Sequence, residues 1–201
     1  LWVCPECRAH RLLYPKPPPG YWIEKSIGGG GMGQVFLARK VATNERVAIK
    51  MMMPSVAASE RARAYFRREL EVLRNLVHPH IVAFQGMHED DVQFQLMMEF
   101  VDGPNASDWL DALKEPLSVG AAARIGCQLL SALAYAHGKG YVHRDIKPSN
   151  LLVTGSHKRP DVKLSDFGLA KSFRDNGGLA GLTLQGDIGG SCGFLSPDHI
   201  R

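Results

Sequence analysis

From Tyr21 onward apolar and polar residues alternate in short runs, and a period of two marks half-buried strands. Val35-Phe36-Leu37-Ala38 and Val47-Ala48-Ile49-Lys50 are two such runs, and residues 93–101 form a third. Between Ser59 and Leu76 the period changes: Ala62, Tyr65, Phe66, Leu70, Leu73 and Leu76 share one face at helical spacing. A second helix is predicted from Ser118 to His137, with Ile125, Leu129, Leu130, Leu133 and Ala136 facing inward and Cys127 as a small core residue. Gly138-Lys139-Gly140 stops it. Alternation returns over Asp161-Val162-Lys163-Leu164-Ser165, so Asp166 should sit at a strand end, where a loop can aim its carboxylate.

Composition narrows the class. A chain of 201 residues with 45% hydrophobic and 22% charged content can bury a real core and suits one or two domains. The net charge of +4 is spread without a basic block, giving little support to nucleic acid or membrane as a partner. No uncharged run approaches the roughly 18 apolar residues of a membrane span, and the start lacks the pattern of a signal peptide. Four cysteines, two of them in Cys4-Pro5-Glu6-Cys7, do not make a secreted disulfide framework, so a cytoplasmic location is expected. Leu1 is not an initiator methionine and Arg201 follows a loop, which reads as a fragment.

Residues 1–20 read as a tail and linker. Cys4 and Cys7 have the spacing of a zinc knuckle, with His10 as a third ligand and the other half of a ribbon lying before Leu1; the alternative is a pair of ordinary thiols. Pro15 and Pro17-Pro18-Pro19-Gly20 form a stiff linker, and the domain boundary is placed there.

Three motifs carry chemistry. Gly28, Gly30, Gly33 and Val35 fit G-x-G-x-x-G-x-V, whose glycines let a hairpin lie close over phosphates and offer backbone N–H groups to them. Glycine runs are often only flexible loops; here a strand follows, where a dinucleotide-binding fold requires a helix. Lys50 ends an apolar strand ahead of Met51-Met52-Met53, so its ammonium either snorkels or needs an anionic partner. Glu69 falls inside the apolar stripe of the first helix and is the available carboxylate. His78 and His80 read as structural. Finally, His143-Arg144-Asp145-Ile146-Lys147-Pro148-Ser149-Asn150 precedes Asp166-Phe167-Gly168, and Asp145, Asn150 and Asp166 supply hard oxygen ligands of the kind Mg²⁺ takes alongside phosphates.

These motifs resemble those of the eukaryotic-type protein kinase family, with its H-R-D-x-x-x-x-N loop and D-F-G. The resemblance covers Tyr21–Arg201, and Gly30-Gly31-Met32-Gly33 looks most like bacterial serine/threonine kinases. It implies an α+β, two-lobed fold: a β-rich N-lobe over 21–101 with one helix, and an incomplete helical C-lobe over 102–201. The implied reaction moves the γ-phosphoryl of ATP, with Mg²⁺, to Ser or Thr hydroxyls of protein substrates. Lys50 would contact the α- and β-phosphates, held by Glu69. Val35 and Ala48 would line the nucleotide pocket, Met98 would be the gatekeeper, and Glu99-Phe100-Val101 the hinge. Asp145 would accept or orient the substrate hydroxyl proton, Lys147 would neutralise the γ-phosphate, and Asn150 and Asp166 would bind metal. Lys147-Pro148-Ser149-Asn150 is the serine/threonine form.

Residues 167–195 match the activation segment, with Ser191 at the family's threonine and Ser196-Pro197-Asp198 in place of Ala-Pro-Glu. Asp187 stands where a phosphorylated residue would pair with Arg144; it is also readable as a turn aspartate, with Thr183 the alternative site. Two rival readings stay open, a nucleotide-binding pseudokinase or scaffold and a small-molecule phosphotransferase.

Overall fold

Strands β1 (Tyr21–Gly30), β2 (Gly33–Lys40), β3 (Arg46–Met52), β4 (Phe84–Glu89) and β5 (Phe94–Glu99) form one sheet in the order β1-β2-β3-β5-β4. The computed structural model describes residues 15–30, 33–52, 67, 70–71, 73–90, 93–143, 145–167 and 171–172. Expectations for Cys4, Cys7, His10, Glu69, Arg144, Thr183, Asp187, Ser191 and Ser196-Pro197-Asp198 lie outside them. The chain divides into two compact units, Leu1–Arg63 with Gln85–Phe100 and Ala64–Phe84 with Val101–Arg201.

In the first unit the alternation seen in the sequence separates two faces. Ile23, Phe36, Ala38, Val47, Ile49, Met51 and Met97 cluster as a core on one face, with Tyr21 packed against them. Burying a side chain the size of Ile, Met or Phe stabilises by about 1.5–3 kcal/mol, so this face holds the sheet together. Between β2 and β3, Asn44 takes a φ of 58°, a left-handed turn position that asparagine tolerates. The proline stretch ahead of β1 touches the same unit: Pro18 is buried, and the Lys16 carbonyl accepts a 2.8 Å hydrogen bond from Gln95 Nε2.

The second unit contains helices α1 (Ala106–Asp111) and α2 (Val119–Gly138), strand β6 (Tyr141–Val142), a 3₁₀ turn at Pro148–Asn150, and the hairpin β7 (Leu151–Ser156) and β8 (Arg159–Leu164). A short β9 (Lys171–Ser172) pairs with β6. Ser118 caps α2, its hydroxyl accepting from the Ala121 N–H at 3.2 Å. Asn105 caps α1, a helix that the alternation did not announce. Leu70, Leu73 and Leu76 of the expected first-helix stripe are buried.

Helix α2 corrects the expectations for Leu130 and Cys127 and bears out the one for Ala136. Its buried stripe is Ala121, Gln128, Ala132 and Ala136, small residues around one amide that let the helix approach β8 closely. Leu130 is 66% exposed and Cys127 is also exposed. At 100° per residue both lie more than about 130° round the helix from the middle of that stripe, while Ile125, Leu129 and Leu133 lie nearer to it and are half-buried. The helix is also long and apolar enough to cross a membrane by length and composition, a property that was missed because Arg124 interrupts it. In this fold one side of it packs on β8, and 22% of the stretch is buried.

His78 and His80 are built into the same unit. His78 Nδ1 accepts from the His80 N–H at 3.2 Å, its ring stacks on Tyr135, and its Nε2 lies 3.2 Å from Ser131 Oγ. Burial, the neighbouring His80 and then Lys163 hold the His78 pKa below its ordinary value. Among the described residues, no group of three or more His, Cys, Asp or Glu side chains is arranged to hold a metal ion.

Candidate active site

Cross-strand register gathers most of the expected nucleotide residues on the sheet face opposite the core cluster. Gly28, Val35, Lys50 and Leu96 are successive partners across β1, β2, β3 and β5, and Leu37, Ala48 and Met98 form the next row. Side chains two apart on a strand share a face, so Val35, Ala48, Lys50 and Met98 lie together. Lys50, Val35 and Met98 are half-buried and Ala48 is buried. Gly30 pairs with Gly33 at the turn, and a register shift falls between Ser26 and Gly28. A Cβ at Gly28 would meet nothing within 4 Å, so packing does not demand glycine there. Glu99 pairs with Val47 at the end of β5. Val101 opens the second unit, and its carbonyl accepts from the Gly103 N–H at 3.0 Å.

The loop between β6 and β7 is ordered by its own side chains. His143 is 1% exposed, and its Nδ1 accepts from the Asp145 N–H at 3.2 Å. Its Nε2 therefore carries the hydrogen and donates to the Ser165 carbonyl at 2.8 Å. The ring meets Phe167 edge-on at 4.5 Å, and Phe167 is fully buried. Burial lowers the His143 pKa; the Ser165 carbonyl, Asp145 and Asp166 oppose that, and the neutral tautomer is the one the hydrogen bonds require.

Asp145 and Asn150 are joined directly. Asn150 is buried, and its Nδ2 donates to the Asp145 backbone oxygen at 2.8 Å and to Asp145 Oδ2 at 3.0 Å. Lys147 Nζ lies 2.8 Å from the same Oδ2. Asn150 O in turn accepts from the Ser165 N–H at 2.9 Å and Ser165 Oγ at 3.1 Å. Ser165 thus ties the loop to the residue before Asp166. Asp166 is exposed and has a φ of 61°, a left-handed conformation that costs on the order of 1 kcal/mol for a residue with a Cβ. Such strain clusters at functional sites.

Two features escaped the sequence reading. Gly103 packs so closely on β7 that a Cβ there would lie 1.9 Å from the Val153 carbonyl oxygen. Gln128 is 7% exposed and bonds the backbone of β8. A polar residue in register with Ala121, Ala132 and Ala136 was a usable signal, because a buried amide requires partners.

Comparison with known proteins fits this geometry. Residues 21–201 match the protein kinase domain. The chain is 38% identical over 184 residues to the serine/threonine-protein kinase pkn3 of Myxococcus xanthus, covering 90% of this chain and 33% of that protein. It is 36% identical over 195 residues to the serine/threonine-protein kinase PknJ of Mycobacterium tuberculosis, covering 96% and 32%. With the serine/threonine-protein kinase PrkC of Bacillus subtilis it shares 35% over 181 residues, covering 90% and 27%. The chain therefore spans about a third of the length of these curated relatives. Among solved structures, a double mutant of the Mycobacterium tuberculosis PknI kinase domain superposes with a TM-score of 0.64 at 34% identity, over 76% of this chain and 60% of that one.

Proposed function

This chain belongs to the protein kinase family, and on that premise we propose that it carries the catalytic core of an ATP-dependent serine/threonine protein kinase. One observation supports this most: Asp145, Lys147 and Asn150 form a single bonded cluster, and Ser165 links that cluster to a strained Asp166. Phosphoryl transfer asks the protein mainly for positioning and charge neutralisation, and this cluster suits both.

In this reading Asp145 orients the substrate hydroxyl and takes its proton. Lys147 and Asn150 fix the carboxylate through Oδ2, and Lys147 offsets negative charge on the γ-phosphate. Asn150 and Asp166 offer hard oxygens, which fit Mg²⁺, an ion usually held by one or two carboxylates with substrate phosphates and water. When bound, Mg²⁺ supplies neutralisation of charge developing on the phosphates. On the sheet, Lys50 would hold the α- and β-phosphates, with Glu69 proposed as its partner by the family resemblance, and the backbone of Gly28, Gly30 and Gly33 would cover the phosphates. Val35, Ala48 and Met98 would line the adenine pocket, and the segment Glu99 to Val101 would be the hinge. The division into a tail over 1–20 and a kinase domain over 21–201 belongs to the same reading. A serine/threonine preference is supported by the names of the bacterial relatives and by Lys147 in the catalytic loop. The zinc knuckle at Cys4 and Cys7 and the cytoplasmic location remain expectations of the sequence.

The test incubates the intact protein with γ-labelled ATP, Mg²⁺ and a general protein substrate, followed by phosphoamino-acid analysis. Phosphoserine and phosphothreonine should appear, and Asp145→Asn should cut turnover by at least about 10²-fold while keeping nucleotide binding. Wild-type turnover in Asp145→Asn, or label found only on small molecules, would overturn the proposal.

A further inference from the structure

The hairpin β7–β8 has only two strands, and such a hairpin is marginal by itself. Its outer edge is nevertheless bonded at every outward-facing backbone group from Pro160 to Leu164. The Pro160 carbonyl accepts from Arg124 Nε at 2.8 Å. The Val162 N–H donates to Gln128 Oε1 at 2.7 Å, and the Val162 carbonyl lies 3.0 Å from His80 Nδ1. Leu164 N–H donates to the His80 carbonyl at 2.9 Å, and its own carbonyl accepts from the Val82 N–H at 3.0 Å. Side chains from α2 and the His80 ring thus take the start of the edge, and the backbone of His80 and Val82 takes its end. One residue later Ser165 bonds Asn150 and His143, and Asp166 follows.

The amide of Gln128 has one possible orientation here. Val162 N–H can only donate, so Oε1 must face it. Nε2 then faces two acceptors, Asp161 Oδ1 at 2.9 Å and the Pro160 carbonyl at 3.4 Å. Asp161 is itself paired with Arg124, whose hydrogen bond is the first cause of its lowered pKa, so it stays a carboxylate that locks the amide. Burial makes this bond costly to lose, whereas the exposed Arg124–Asp161 pair is screened by water.

We propose that Gln128, oriented by Asp161, is a positioning residue for Asp166: it closes the open edge of β8 and fixes how far that strand carries Asp166 toward the metal. This rests on the reading of Asp166 as a Mg²⁺ ligand. Groups that orient a metal ligand typically change metal affinity by about 10–100-fold when replaced. A residue that merely stabilised the fold would leave the metal requirement unchanged.

The experiment uses the intact protein with Gln128→Glu, Asp161→Asn and the double variant. Two quantities are read: the Mg²⁺ concentration giving half-maximal rate, with kcat measured separately, and hydrogen exchange of the 159–167 peptide without metal or nucleotide. The carboxylate introduced by Gln128→Glu still accepts from Val162 but has no hydrogen for Asp161. That variant should therefore raise the half-maximal Mg²⁺ concentration about 10-fold or more and speed β8 exchange. Its kcat at saturating Mg²⁺ should change far less than its Mg²⁺ requirement. The double variant restores a donor at position 161 opposite an acceptor at position 128 and should recover both readouts. Asp161 is exposed, so Asp161→Asn folds and should give a smaller change in the same direction even if Gln128→Glu does not fold. Faster β8 exchange with an unchanged Mg²⁺ requirement, or no recovery in the double variant, overturns the positioning role. Asp166→Asn serves as the separate control: if it keeps the wild-type Mg²⁺ dependence, the metal reading fails together with this proposal. If it loses that dependence while Gln128→Glu retains it, only the positioning role fails.

Discussion

Replacing Asn150 by aspartate changes little in shape and turns two donated hydrogen bonds into contacts between acceptors. Asn150 Nδ2 is a donor 3.0 Å from Asp145 Oδ2 and 2.8 Å from the Asp145 backbone oxygen. An oxygen in its place sets a second carboxylate against the first. At an effective dielectric of about 20, two unit charges about 3 Å apart repel by roughly 5 kcal/mol. Lys147, 2.8 Å from the same Oδ2, offsets about half of this, and the two lost hydrogen bonds add about 1 kcal/mol each. A net loss of about 4–5 kcal/mol should lower the Tm of this domain by about 8–20 °C in EDTA. Mg²⁺ with a non-hydrolysable nucleotide should recover most of it, because a carboxylate is the better metal ligand. Proton affinity supplies a second check. The crowded pair binds a proton more tightly folded than unfolded, so the deficit is largest above that raised pKa and shrinks as the pH falls through it. Scanning calorimetry at neutral and mildly acidic pH, with and without Mg²⁺, measures all of this. An Asn150→Asp protein as stable as wild type in EDTA at neutral pH would refute the geometry; a deficit that Mg²⁺ leaves untouched would refute the metal role.

Gly103→Ala must move its Cβ out from 1.9 Å of the Val153 oxygen, breaking the 2.9 Å bond from the Val153 N–H to the Pro104 carbonyl. It should cost about 2–4 kcal/mol in denaturant titration, whereas Gly120→Ala, in open space on α2, should stabilise by up to about 1 kcal/mol; equal effects would refute the close approach. For His143 the folded pKa is depressed, so the unfolded state binds more protons near pH 6 and stability falls as the pH drops below the ordinary value of 6.5. His143→Gln should flatten that decline, by at most about 1.4 kcal/mol per pH unit, and an unchanged slope in denaturant titrations across pH would sink the assignment. Lys50→Met should raise the KM for ATP and lower kcat together; steady-state kinetics indistinguishable from wild type would remove Lys50 from the phosphate site.

How much of this was legible in the sequence depended on the range of the cause. Period-two alternation placed Val35, Lys50 and Met98 in strands, and pairing then put them on one face because a strand has only two. The catalytic loop was legible as a motif because its roles need particular residue types at fixed spacing. What the motif could not express is how the loop is held. The bonds from Ser165 to His143 and Asn150 span 22 and 15 residues, and the bond from Val162 to Gln128 spans 34. In α2, hydropathy assigned the inward face to four large residues and Ala136, yet the side against β8 went to Ala136 together with Ala121, Ala132 and one amide. The reason is that an open two-stranded edge needs hydrogen-bond partners more than it needs bulk. Backbone groups of β8 left unbonded in a buried place would cost about 1–3 kcal/mol each, comparable to what one buried leucine returns. A glutamine flanked by small residues meets that demand, and a leucine cannot. Hydropathy therefore errs here for the same physical reason that ties α2 to the strand carrying Asp166.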